Sequence, residues 1–183
     1  MKPWLIGVGV VALVAIITIV AVSVTGTSSN GSTIPGLSTF AENDHQHVTT
    51  TVTYDHNPPA GGAHDATPLN CGIYASAVRN ENAVHSMEHG SVWITYRPNL
   101  PSSDVLYLRT FVQDHYDGTQ RYLVLSPYPG IPSAVVASTW GAQIKLTGAH
   151  DPRLLEFVNK YIGGGQGGEK GAECTGGIGA PIG

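Results

Sequence analysis

Asn82-Ala-Val-His85-Ser-Met87-Glu88-His89-Gly90-Ser91-Val-Trp-Ile-Thr-Tyr96 holds both the densest run of coordinating side chains in the chain and its clearest strand. Gly90 divides the two. Ser91 to Tyr96 is β-branched and aromatic, so it reads as a strand, ended by Arg97-Pro98. Before Gly90, His85 and His89 fit two geometries. On a helix they share a face at i and i+4, whereas on a strand His85, Met87 and His89 alternate onto one side. Asn80-Glu81 offers a helix start and Gly90 a stop, in which case Met87 points away and Glu88 lies beside the pair. The spacing leaves both open.

Downstream, Pro101 to Asp104 opens a helix reaching about His115, with Val105, Leu108, Phe111 and Val112 at helical spacing. Asp117-Gly118 turns the chain into a strand over Arg121 to Ser126, and Ala134 to Trp140 forms another. Gln143 to Leu146 continues that strand or neighbours it. Asp151-Pro152 opens a last helix whose stripe is Leu154, Leu155, Phe157, Val158 and Tyr161. Upstream, Val48 to Tyr54 alternates as a strand would, and Asn57-Pro-Pro-Ala-Gly-Gly62-Ala-His64 is a rigid loop that presents His64. This order predicts an α+β domain, a mainly antiparallel sheet with two helices on one face, ferredoxin-like or related, preceded by one transmembrane helix.

The membrane expectation comes from Trp4 to Val24, 21 residues without a charge, long enough at roughly 1.5 Å per residue to cross a bilayer core. Lys2 precedes it, which keeps the N-terminus cytoplasmic and exports the rest. A cleaved signal peptide ending near Ala21-Val-Ser23 is the rival, but its apolar region would be shorter. The expected organisation is an anchor over 1–25, a Gly/Ser/Thr linker over 26–39, an extracytoplasmic domain over 40–162 and a Gly-rich tail over 163–183. Cys71 and Cys174, the two cysteines of an exported chain, read as one disulfide tying that tail down. A metal-bound thiolate is the alternative for them.

With a net charge of −4 over 183 residues the chain has no basic footprint for nucleic acid. Its eight histidines nearly match its nine Lys plus Arg, and six of the eight lie between His45 and His89. His64, His85 and His89 beside tight turns are the candidate metal ligands, with His47 or Met87 as a further one. Glu88 is the carboxylate that would orient a histidine ring. His45 and His56 are weaker candidates, and His115 and His150, near helix ends, read as structural. The spacing His85-Ser-Met-Glu88-His89 also matches the inverted zinc-peptidase motif, in which Glu88 would be the general base and Glu156 the helical third ligand.

His47-Val48, Tyr54, Pro58-Pro59-Ala-Gly-Gly62-Ala-His64, Cys71-Gly72-Ile-Tyr74 and Val84-His85-Ser-Met-Glu88-His89-Gly90 together resemble a bacterial family of membrane-anchored domains, the domain-of-unknown-function family 3105. The likeness covers roughly Phe40 to Ile162. It implies an N-terminal membrane segment and an exported domain, sets His64, His85, Glu88 and His89 at family motif positions, and implies no activity. Members commonly carry Leu where this chain has Met87, which implies packing there.

The expected function is therefore an extracytoplasmic domain that binds one transition metal, copper ahead of zinc or iron. Its role would be metal handling, or that of a subunit accessory to a membrane redox complex. A metal-dependent enzyme, zinc hydrolase or oxidase, with Glu88 as base is the second reading, and a metal-free surface-interaction module the third.

Overall fold

A computed structural model describes residues 33–115 and 122–182. The expected membrane helix and the Asp117-Gly118 turn lie outside them. Among the described residues no helix is long and apolar enough to cross a membrane.

The elements run β1 (Leu37–Thr39), β2 (Gly72–Ile73), α1 (Asn80–Glu88), β3 (Val92–Tyr96), α2 (Ser102–Asp114), β4 (Leu123–Pro127), β5 (Val135–Thr139), β6 (Ala142–Leu146) and α3 (Arg153–Tyr161). The strands form one six-stranded sheet in the order β1-β6-β5-β3-β4-β2. β2, β3 and β4 are mutually parallel, while β5, β6 and β1 add antiparallel pairs on the other side of β3. The expectation of a mainly antiparallel, ferredoxin-like sheet is thus corrected to a mixed sheet with three helices. The physical reason lies in β4: Leu123, Val124 and Leu125 are all buried, so both its faces are covered, as parallel strands flanked by crossover helices require.

Alternation along β3 sorts the two faces. Val92, Ile94 and Tyr96 join Leu108, Phe111 and Val112 of α2 and Leu154, Phe157 and Val158 of α3 in the larger apolar cluster. Trp93 points the other way, into a smaller cluster with Val84 and Met87 of α1, Trp140 and the Cys71–Cys174 pair. The sequence pattern did not assign α1 to this second face, because its apolar residues are few.

Val48 to Tyr54, expected as a strand, is irregular, and the one bridge beside it joins His47 to His64. Its threonines face solvent, and the Val52 N–H donates to the Glu81 carboxylate at 2.8 Å instead of to a neighbouring strand. Conversely, Leu37–Thr39, inside the stretch read as linker, pairs with β6 as an edge strand. The β5–β6 hairpin turns at Gly141, whose φ of +72° suits glycine; a Cβ there would lie 3.0 Å from the Phe40 carbonyl oxygen. Gly141 also donates its N–H to the Ala60 carbonyl at 2.7 Å, which seats the Pro/Gly loop carrying His64 against the sheet.

Candidate metal centre

Helix α1 settles the choice that spacing left open. His85 and Glu88 lie within it, His89 caps its C-terminus, and the His85 and His89 rings stand 4.6 Å apart, edge to face. Met87 is fully buried in the apolar cluster with Val84, Trp93 and Trp140. The residues of α1 from Glu81 to Glu88 are all buried. A polar helix tolerates this only if its polar atoms are partnered. Glu81 meets Val52 N–H and the Arg79 guanidinium, Asn82 donates to the Thr67 carbonyl at 2.7 Å while its Oδ1 has no partner, and Ser86 donates to the Leu69 carbonyl at 2.6 Å.

The histidines are partnered in one consistent way. His64 Nδ1 lies 2.8 Å from the Gly62 carbonyl oxygen, His85 Nδ1 lies 2.7 Å from that of Asp65, and His89 Nδ1 lies 2.7 Å from that of Glu173. A carbonyl oxygen only accepts, so each Nδ1 carries the proton, and in the neutral ring each Nε2 presents a lone pair. Those lone pairs face carboxylates. His64 Nε2 is 2.9 Å from Glu88 Oε2, and His89 Nε2 is 3.3 Å from Glu169 Oε2, which is 3.9 Å from His85 Nε2. His64 Nε2 is fully buried, and the angles at its Glu88 contact are not those of a hydrogen bond. Two lone pairs at that distance repel unless a cation lies between them. Burial pushes the His85 imidazole below its ordinary pKa; the Asp65 carbonyl opposes this, and nearby His89, His64 and His47 add to the lowering.

Among the described residues two donor groups result, each with its ligand atoms within 4.8 Å of one another: His47, His64, His85 and Glu88, and then His85, His89 and Glu169. Residues 45–176 match the family described as a protein of unknown function, DUF3105. The chain belongs to that family. The matched span contains both donor groups and both cysteines. No curated protein and no solved structure matches the chain.

Sequence reasoning placed Glu88 behind a ring, whereas its carboxylate lies among the donors, one oxygen at His64 and the other at His45 Nδ1. His45, set aside as weak, stacks on Trp140 with ring centroids 4.6 Å apart and holds Glu88 from the solvent side. Glu169 was missed altogether. Glu156 lies exposed on α3, outside both groups. The signal for Glu169 was present: Cys174 is five residues on, and its disulfide with Cys71 returns the glycine-rich tail to the loop before α1. The glycines permit the approach, for a Cβ on Gly167 would lie 2.2 Å from the Glu88 carbonyl oxygen. His56 pairs with Glu42 at 3.6 Å beside a separate cleft of about 180 Å³. His115 caps α2 with Nδ1 2.6 Å from the Phe111 carbonyl, and His150 lies 3.7 Å from Asp104.

Proposed function

We propose that this domain binds one transition-metal ion through imidazole Nε2 atoms and the Glu88 carboxylate, and that it does so outside the cell membrane to which residues 4–24 anchor it. The observation that carries the reading is the buried His64 Nε2, deprived of a hydrogen-bond partner and facing a carboxylate oxygen at 2.9 Å. Three histidines with Nδ1 fixed on backbone carbonyls are oriented as metal ligands are. The donors are imidazole and carboxylate. Cys71 and Cys174 are joined as a disulfide, so neither offers a thiolate, and Met87 packs among apolar side chains. That set suits copper(II), zinc or iron(II), and the usual affinity order puts copper(II) first. Export is supported by the disulfide and by the charge-free N-terminal stretch. The role is metal handling at the membrane surface, or service to a membrane redox complex.

The test is metal analysis of the purified full chain in detergent, with thermal unfolding measured with and without Cu(II) or Zn(II). One ion per chain is expected. At a hundredfold excess of free metal over Kd, about 2.7 kcal/mol of added stability should raise Tm by roughly 5–10 °C. No bound metal and no shift with either ion would sink the reading.

A further inference from the structure

The two donor groups share His85. Its Nδ1 is committed to the Asp65 carbonyl at 2.7 Å, so Nε2 alone is free to coordinate and the ring cannot bridge two ions. The groups are therefore alternatives and not the halves of a two-metal centre. Each group has one exposed member, His47 in the first and Glu169, whose side chain is 53% exposed, in the second. The first is the deeper of the two only in that His64 and Glu88 are buried beside the shared His85.

We infer that His85 hands a single ion between two stations, an outer one made with His89 and Glu169 and an inner one made with His47, His64 and Glu88. This rests on the metal reading above. The exchange needs no redox step: His85 Nε2 keeps its bond while His89 and Glu169 leave and His64, Glu88 and His47 replace them. The ion's charge is unchanged, and His64 Nε2 carries no proton to lose in the neutral ring. Glu169 suits the outer role by its mounting. It rides on the tail that Cys174 ties to Cys71 and that Gly171 N–H holds to the His89 carbonyl at 2.9 Å. Its carboxylate reaches His89 Nε2 at 3.3 Å and His85 Nε2 at 3.9 Å, so one oxygen already faces both nitrogens an arriving ion would meet. The same tail lays Gly168 against Glu88 and His45, where its Cβ would be 3.2 Å from Glu88 Oε1, closing the inner station from that side.

Trp140 makes the two stations distinguishable. Its ring centroid lies 5.6 Å from that of His64 and 4.6 Å from that of His45, so Cu(II) at the inner station quenches its fluorescence most strongly. Stopped-flow mixing of the full chain with Cu(II) should show a concentration-dependent phase, then a slower quench whose rate no longer depends on copper. Equilibrium titration should end at one ion per chain. Replacing exposed Glu169 by Gln or Ala should slow inner loading about tenfold, read as the rate of the slow quench. His64→Ala should remove the slow quench and retain one weakly held ion, and His85→Ala should abolish both phases. Two ions bound at saturation overturn the handover, as does loading of the Glu169 variants at the unaltered rate, which would mean that copper arrives directly past exposed His47. A parent chain that binds no metal fails the function reading itself, a result distinct from either.

Discussion

Helices α1 and α3 are each nine residues long and flank the same sheet, yet they are held by different physics. α3 buries Leu154, Phe157, Val158 and Tyr161, one stripe at i, i+3, i+4 and i+7, and leaves its other face to water. α1 buries everything from Glu81 to Glu88, five of those eight residues being polar or charged. Burial of apolar surface explains α3 with nothing further. It does not explain α1, whose buried polar atoms need partners, and around which Asn82 Oδ1 and the Glu88-facing His64 Nε2 lack a hydrogen bond. A stretch kept polar in the interior, at a cost in stability, is where chemistry is to be sought.

The comparison breaks or holds first on α3. Phe157 is fully buried in the larger cluster, so Phe157→Ala should cost about 3–5 kcal/mol in urea unfolding and leave metal stoichiometry unchanged under folding conditions. A loss below about 1 kcal/mol would mean that this face does not carry the fold. On α1 the sign should differ between stability and binding. Glu88→Gln removes a buried charge whose two oxygens face His64 and His45, so the metal-free protein should be unchanged or slightly more stable. Copper affinity, read by competition with a chelator, should fall about 10–100-fold, equivalent to about 1.4–2.7 kcal/mol. Strong destabilisation of the metal-free Gln variant would instead make Glu88 a structural carboxylate.

The same contrast explains what could be read from sequence. The stripe of α3, the helix α2, and the strands β3 and β5 follow from periodicity because their apolar residues repeat at the period of the element. Parallel pairing of β2, β3 and β4 does not, since a strand as short as Gly72–Ile73 has no period to show. His64, His85 and His89 were legible as candidates because histidine is rare and these were bunched. Their partners were not legible. The carbonyls of Gly62, Asp65 and Glu173 that fix the rings are backbone atoms, which every residue supplies. Glu169 reaches the site through a disulfide spanning 103 residues; the two cysteines announced that closure, but no local pattern around Glu169 says which residue of the tail it brings to the histidines.

The smallest effect is expected at the start of α3. Asp151 accepts the Arg153 and Thr147 backbone N–H groups, each at 3.1 Å, and the Arg153 Nε–H at 2.9 Å. The Arg153 guanidinium, with help from the Thr147 and Arg153 backbone, holds the carboxyl well below the usual carboxylate range. Because the folded pKa is depressed, the ionised form stabilises the protein above the unfolded value of about 3.9, and this contribution is lost as pH falls below it. Asp151→Asn should therefore lower stability at pH 7 by about 1 kcal/mol, since the bonds to backbone are cap-like while the pairing lies near the surface and is screened. Urea midpoints of parent and variant should begin to approach one another below about pH 4 and close only well below pH 3, as the pH reaches the depressed folded value. In α1 the first-turn acid, Glu81, pairs with the Arg79 guanidinium at the N-cap and also accepts the Val52 N–H of the neighbouring loop. An Asn penalty that does not shrink at all between pH 5 and pH 2 would show that shape, not charge, fixes this end of α3.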